Sequence, residues 1–388
     1  MKKKIVILGS TGSVGKNTFK LILKDKKNFE IKLLSANKNI SSLLKQAKIF
    51  KVKHLIINDK TKYLLAKKKF KNLDIKFYNS FKVIDHLFNK KEIDYSMVSI
   101  SGINGLTPSI KLIKYSKNIA IVNKESLICG WELINKQLKK NKTNFYPIDS
   151  EHYSIFSLID NSSNIKIEKI YITASGGPFL NYKLSDLKRA SLIKALKHPN
   201  WKMGKKITID SSTLMNKVFE VIEAKNIFDL KYKDIIVLSH PKSYVHAIVK
   251  FNNGISKFLL HDADMKIPIH NSLYWGQNKP YKSKQINFDV INNLNFKTID
   301  GKKFPLINII KNLPQKNSLY ETALITINDY FVDKFLNKKI DYLSLVNSVY
   351  EYSNLRMFTK FKKFPVNTVS DVYKTKRFVN FQLSKLGV

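Results

Sequence analysis

The chain of 388 residues has room for two or three domains, and its 44% apolar content excludes a disordered polymer. Its formal charge of +40 reflects 69 basic against 29 acidic residues, and every basic residue except Arg189, Arg356 and Arg377 is a lysine. Phosphate and base readers favour the arginine fork, and these lysines are spread along the whole chain. The excess therefore reads as solvated lysine with weak, salt-sensitive attraction to polyanions, and no specific nucleic-acid site is expected.

The single Cys129 rules out a disulfide framework and fits a reducing compartment. No uninterrupted apolar stretch approaches the roughly 20 residues that cross a bilayer. The apolar run after Met1 stops at Gly9, too soon for a secretory leader, so it reads as a first strand. No membrane association is expected, and a cytoplasmic location is.

In chain order, residues 4–8 form the first strand and Gly9-Ser-Thr-Gly-Ser-Val-Gly15 leads into an amphipathic helix that ends near Lys24. Further strands are expected at Ile31–Ser35, His54–Asn58, Asp74–Phe77, Tyr95–Ile100 and Ile119–Val122, with helices between them. That alternation predicts an α/β fold with a Rossmann-like parallel sheet covered on both faces. Gly9, Gly12 and Gly15 follow strand one and open a helix, so they read either as a dinucleotide fingerprint or as a plain tight turn. After strand two comes Ser35-Ala-Asn37-Lys38-Asn39, where an NAD enzyme usually has an acid. A lysine without an acid favours the extra phosphate of NADP(H); a ligand-free polar loop is the alternative.

Around 144–153 the pattern changes. Asp149 and Glu151 stand at i and i+2, on one side of an extended segment, as ligands for Mg²⁺ or Mn²⁺ or as incidental acids of a surface turn. Thr173–Phe179 supplies a small hydroxyl-bearing turn able to form an anion nest. In the stretch His198–Gly204, Trp201 is either a mobile lid or a buried anchor. Thr208–Asp210 reads as a short strand, and Asp210 to Thr213 as helix-capping residues. On the following helix Leu214, Val218, Val221 and Ile222 mark a buried stripe, while Asn216, Glu220 and Glu223 share a polar face beside Lys217. A helix mouth lined with hydroxyls suits a phosphate, and a carboxylate one turn deeper suits a divalent metal.

His240 and His246 lie in a strand pair over Val237–Val249 and lack metal-site spacing, so both read as structural; Cys129 reads as a small buried apolar residue. Residues 279–302 read as a polar linker. From 303 the pattern is helical, with Leu319–Leu336 and Ile340–Phe358 carrying a 3.6-residue period. The expected division is a dinucleotide domain at 1–149, a central α/β catalytic domain with a flap at 150–278, the linker, and a helical domain at 303–388.

Six blocks occur in order: Gly9–Gly15, Asn123-Lys-Glu-Ser126, Asp149-Ser-Glu-His152, Ser175-Gly-Gly-Pro-Phe179, His198–Gly204 and Asp210–Glu223. In order and spacing they resemble the 1-deoxy-D-xylulose 5-phosphate reductoisomerase family over nearly the whole chain. The resemblance implies an NADPH- and divalent-metal-dependent enzyme (Mg²⁺, Mn²⁺ or Co²⁺) acting on a sugar phosphate as a homodimer. It places Thr11, Gly12, Ser13 and Val14 on the pyrophosphate and Asn37, Lys38 and Asn39 near the 2′-phosphate. Asn123, Glu125 and Gly204 join them at the cofactor. Asp149, Glu151 and Glu220 become metal ligands, and Lys124, Ser150 and Glu151 meet the reacting end of the substrate. Ser175, His198, Ser211, Asn216 and Lys217 meet the substrate largely through its phosphate. Residues 175–205 become the flap, with Trp201 over the substrate. Lys124, Asp149, Glu151, His198 and Glu220 form the implied catalytic set. The implied reaction is a retro-aldol cleavage and aldol recombination, followed by hydride transfer. Two departures stand out. Asn37 replaces a usual glycine, and Ile325-Thr-Ile-Asn-Asp329 replaces Asn-Ala-Ala-Asn-Glu.

Overall fold

The apolar run at Lys3–Leu8 becomes β1, whose last four residues are buried, as the central strand of a doubly covered sheet requires. The computed structural model describes residues 1–159, 165–201 and 203–387. It groups them into two compact units. The first holds Met1–Leu127, Glu132–Asp149 and Met265–Tyr281; the second holds Ile128–Trp131, Ser150–Asp264 and Lys282–Val388.

The first unit is built on seven strands. After β1 come β2 (Phe29–Ala36), β3 (His54–Ile57), β4 (Lys76–Tyr78), β5 (Ile93–Val98), β6 (Ser116–Ile121) and β7 (Asn144–Pro147). Their spatial order is β4-β3-β2-β1-β5-β6-β7 and every pairing is parallel. The order reverses direction between β1 and β5, which makes the carboxyl end of β1 the topological switch point where ligands of such sheets sit. Helix α1 (Ser13–Lys24) leaves the loop there, α2 (Ile40–Phe50) follows β2, and α3 (Lys124–Asn141) follows β6. The segment 265–281 belongs with this unit. Tyr274 donates its hydroxyl to Asp25 at 2.8 Å, and the hydroxyls of Tyr95 and Ser272 lie 2.8 Å apart.

In the second unit, α4 (Ser150–Leu158) precedes a five-stranded sheet, and α5 (Lys205–Ser212) and α6 (Met215–Ile227) follow its first strand. The strands are β8 (Ile167–Ala174), β9 (Ile235–Ser239), β10 (Val245–Phe251), β11 (Ser256–Leu260) and β12 (Lys297–Thr298), in the order β11-β10-β8-β9-β12. Long helices α7 (Tyr320–Leu336), α8 (Tyr342–Asn354) and α9 (Val369–Lys385) close the chain. The periodic apolar residues expected on α7 and α8 are the buried ones, including Leu324, Phe331, Leu345 and Val349.

Five local expectations change. Thr208–Asp210 is helical: the amide of Thr208 bonds Gly204 and that of Thr213 bonds Ile209, each at 3.1 Å. All five residues from Thr208 to Ser212 are buried, so tertiary packing overrides a strand-like alternation. Asp210 to Thr213 consequently lie at the end of α5, and the N-cap of α6 is Leu214 at φ 60°; of the four, Thr213 still reaches α6, its hydroxyl accepting from the Met215 amide at 3.3 Å. Glu151 sits in the first turn of α4, so Asp149 and Glu151 straddle a strand-to-helix turn and do not share an extended face. β9 and β10 do not pair with each other, because β8 lies between them. The polar stretch expected as a linker carries a short helix at Phe288–Asn292 and strand β12, which pairs antiparallel with β9.

One buried acid of this unit has an unusual environment. Glu321 on α7 is 1% exposed and accepts from the amide and hydroxyl of Ser318 at 3.1 and 2.7 Å. Burial outweighs those bonds and raises its pKa to about 7. Its folded-state pKa thus exceeds the unfolded one, so its contribution to stability is complete below the unfolded pKa and is lost as pH rises through about 7. Glu321→Gln should therefore gain stability on wild type by about 1 kcal/mol between about pH 6 and about pH 8. Denaturant midpoints across that range would reveal it, and a constant difference would contradict the assignment.

Candidate active site

At the end of β1 the chain turns under glycine control. Gly9 has φ +80°, and a Cβ there would lie 2.5 Å from the Ser99 carbonyl oxygen. A Cβ on Gly15 would fall 2.3 Å from the Gly9 carbonyl oxygen. Neither position accepts a side chain, so backbone amides line the loop, and α1 starts at Gly12 with no side-chain cap. That arrangement fits a pyrophosphate, which helix N-termini and glycine turns bind through N–H groups. Thr11, Ser13 and Val14 surround it in sequence.

Beside this loop, Ser35 Oγ accepts from the Gly9 amide at 2.9 Å, fixing β1 against β2. Asn39 caps α2 by accepting from the Ser42 amide at 3.0 Å. Lys38 is largely exposed and its ammonium lies 3.9 Å from Asp59, a separation that leaves it responsive to a second anion. Asn37 holds the turn by accepting from the Asp59 amide through its carbonyl oxygen at 3.2 Å. After β6, Asn123 caps α3 through the Ser126 amide at 2.6 Å and donates to the carbonyls of Ile100 and Gly102. Glu125 lies in that helix's first turn. Lys124 pairs with Asp149, both mostly buried.

The second unit carries a buried charged cluster. Lys217 donates to Glu151 at 2.5 Å and to Glu220, while Asn216 donates to the other oxygen of Glu220 at 2.5 Å. Ser150 donates to Glu151. Burial disfavours the Lys217 ammonium, but the Glu151 and Glu220 carboxylates outweigh burial together and raise its pKa. Two carboxylates therefore already hold one positive charge in a mostly buried site, and carboxylate oxygens are the ligands a divalent cation takes.

Nearby in this unit, Ser175 and His198 meet at 3.0 Å between Oγ and Nε2. His198 Nδ1 accepts from the amides of Asn200 and Trp201 at 3.2 and 3.0 Å, so the ring proton sits on Nε2 and points at Ser175. Ser175 Oγ also accepts from the Gly177 amide at 3.3 Å, which directs its own hydrogen outward. Burial, helped by the Lys217 charge, lowers the His198 pKa to about 4, and the ring is neutral at physiological pH. A cavity of about 320 Å³ opens here, bounded by Ser175, Gly177, Tyr182, Lys194, Lys197 and Pro199. Ser211 is buried beside Gly177: a Cβ on Gly177 would lie 2.7 Å from the Ser211 carbonyl oxygen.

Trp201 packs edge-on against His246, 6.0 Å between centroids, and His246 stacks on His261 at 3.9 Å. Gly204 caps α5 and has open space where a Cβ would project. Lys202, within the expected flap, lies outside the described residues. His240, expected to be structural, stacks on Phe296 at 4.8 Å, and Cys129 is buried.

Two residues carry more than their sequence positions imply. His152, next to Glu151, meets the Glu220 carbonyl oxygen at 2.9 Å through Nε2, and its Nδ1 lies 3.5 Å from Glu223. Glu223 thus faces His152, and the polar face read along α6 divides into two groups. A buried histidine beside one acid of the cluster was the available signal.

A family model described as 1-deoxy-D-xylulose 5-phosphate reductoisomerase matches residues 5–130, and two models of its C-terminal domains match 145–228 and 260–380. A 1-deoxy-D-xylulose 5-phosphate reductoisomerase from Pelagibacter ubique is 51% identical over the full length of both chains. The chain belongs to the 1-deoxy-D-xylulose 5-phosphate reductoisomerase family. The reductoisomerase of Wolbachia pipientis wMel is 38% identical over 95% of this chain and 94% of its own. Among solved structures, the reductoisomerase from Zymomonas mobilis in complex with NADPH superposes with a TM-score of 0.89 at 26% identity, covering 100% of this chain and 99% of that one. A reductoisomerase in complex with NADPH, fosmidomycin and magnesium gives 0.90 at 28% identity, over 99% and 98%.

The His198 environment is directly measurable in this protein. Titration of its ring by NMR in metal-free protein should give a pKa near 4, and Lys217→Met should move it toward the ordinary histidine value. A His198 pKa unmoved by that substitution would contradict the assigned cause.

Proposed function

We propose that the two polar clusters divide the work of one reaction. The chain is an NADPH- and divalent-metal-dependent oxidoreductase that converts 1-deoxy-D-xylulose 5-phosphate to 2-C-methyl-D-erythritol 4-phosphate, a step of isoprenoid precursor synthesis. The observation that carries the site assignment is the buried Lys217 ammonium between Glu151 and Glu220.

In our assignment Asp149, Glu151 and Glu220 would hold the cation. When bound, the cation supplies Lewis acidity to the substrate's ketone and neighbouring hydroxyl, and NADPH supplies the hydride. Asn216 fixes one oxygen of Glu220 and leaves the carboxylate oriented. Lys124, paired with Asp149, and Ser150, bonded to Glu151, stand at the reacting end. Ser175, Ser211, Asn216 and Lys217, with neutral His198 fixing the Ser175 rotor, take the phosphate end. Anchoring the phosphate keeps both fragments of a retro-aldol cleavage in place until they recombine and the aldehyde is reduced. Trp201 and the flap exclude water over the substrate.

The cofactor assignment rests on Thr11, Gly12, Ser13 and Val14 at the glycine turn, on Asn37, Lys38 and Asn39 at the end of β2, and on Asn123, Glu125 and Gly204. The lysine at position 38, with no acid in that loop, favours the 2′-phosphate. We also propose a homodimer: edge strand β11 leaves Phe258 half exposed, and a second copy would cover such an edge. A cytoplasmic location fits the single buried Cys129. No helix among the described residues is long and apolar enough to cross a membrane.

Loss of NADPH absorbance with 1-deoxy-D-xylulose 5-phosphate should require Mg²⁺ or Mn²⁺ and stop with EDTA. Glu220→Gln should lower turnover at least about a thousandfold with circular dichroism unchanged, since it removes one charged ligand. Full metal-independent turnover, or an active Glu220→Gln protein, would break the assignment.

A further inference from the structure

The two loops assigned to the phosphate touch one another and share a single support. Gly177 of the first loop packs so closely on the second that a Cβ would lie 2.7 Å from the Ser211 carbonyl oxygen. Behind both stands Tyr342, the first residue of α8, only 2% exposed. Its hydroxyl donates to the Ser212 carbonyl at 2.7 Å, next to Ser211. Its ring meets that of Phe179 edge-on at 4.7 Å, and Phe179 ends the Ser175–Phe179 turn and is fully buried. One side chain thus grips both walls. Asp341 fixes the start of α8 by accepting from the Ser344 amide at 2.7 Å, so Tyr342 is held in turn. A second tie comes from α7, where Asn328 donates to buried Asp210 at 2.8 Å, on the other side of Ser211.

We propose that Tyr342, assisted by Asn328, is a positioning residue that sets the spacing between the Ser175 and Ser211 walls of the phosphate site. The inference rests on the phosphate assignment of Ser175 and Ser211 made above. It gives the C-terminal helices a role in substrate affinity. The ends of α5 and α6 present hydroxyls and amides to an anion only while the Ser212 carbonyl is held back, and the Tyr342 hydroxyl does that holding. Without it the buried carbonyl loses a partner and the turn relaxes. The reacting end, built around Glu151 and Glu220, makes no use of that bond.

The same helices contain a matched control. Tyr320 on α7 donates to the Ser353 carbonyl at 2.9 Å, an equally buried tyrosine-to-carbonyl bond made to the far end of α8. Tyr342→Phe and Tyr320→Phe should lower the melting temperature alike. Only Tyr342→Phe should raise KM for 1-deoxy-D-xylulose 5-phosphate and the inhibition constant of inorganic phosphate, each by about three- to tenfold, the worth of one hydrogen bond. Its kcat should stay within about twofold and KM for NADPH should not move. Ser211→Ala, measured alongside, tests the phosphate assignment itself. If Ser211→Ala weakens phosphate binding and Tyr342→Phe does not, the positioning role falls and the phosphate site stands. If Ser211→Ala changes neither constant, the phosphate site and this inference fall together. An equal rise of KM in Tyr320→Phe would reduce the effect to general destabilisation and overturn the proposal.

Discussion

A lysine ammonium buried between two carboxylates is the constraint on which the rest of the catalytic unit depends. Lys217, Glu220 and Glu151 come from two helices, and each is expensive to bury alone. Together they are tolerable only with short contacts and with further donors such as Asn216 and Ser150. Removing one member strands a charge in a low-dielectric site, so α4 and α6 cannot drift apart. His152 reinforces that tie by reaching the Glu220 backbone. The same charge reaches His198, whose neutral ring then fixes the Ser175 hydroxyl.

Around that centre the protein separates its tasks by element. Parallel strands bring a glycine turn to the switch point of the first sheet, where side chains are excluded by contact and the proposed cofactor site would bind through backbone amides. In the proposed assignment the second unit supplies charged side chains for the reacting end, and loops after β8 and α5 for the phosphate end. The C-terminal helices hold those loops from behind. Their proposed contribution is rigidity, placed where an anion would fit.

Much of this was legible from residues alone because it is written in local patterns. The strand–glycine turn–helix at the start, the strand and helix alternation through the first 120 or so residues, and the buried stripe of α6 each follow from spacing of a few residues. The acids, too, could be picked out in a chain dominated by lysine. What local pattern misread was set by distant partners. Thr208–Asp210 alternates like a strand but is a helix whose polar residue, Asp210, is satisfied by Asn328 more than a hundred positions later. Glu223 shares a helix face with Glu220 in projection, yet His152 draws it away. Tyr342 gave no signal, since a tyrosine at a helix start is unremarkable until its hydroxyl is seen on Ser212. The polar stretch after 280 resembled a linker because a two-residue edge strand carries almost no pattern.

The account's central claim is that the carboxylates gathered at Lys217 form the cation site. Mn²⁺ binding to metal-free protein, followed by electron paramagnetic resonance without substrate or cofactor, tests it most directly. The account predicts one site in the wild-type protein, weakened by at least about tenfold in Glu220→Gln at unchanged secondary structure. Equal Mn²⁺ affinity in the two proteins would contradict it and place the metal elsewhere.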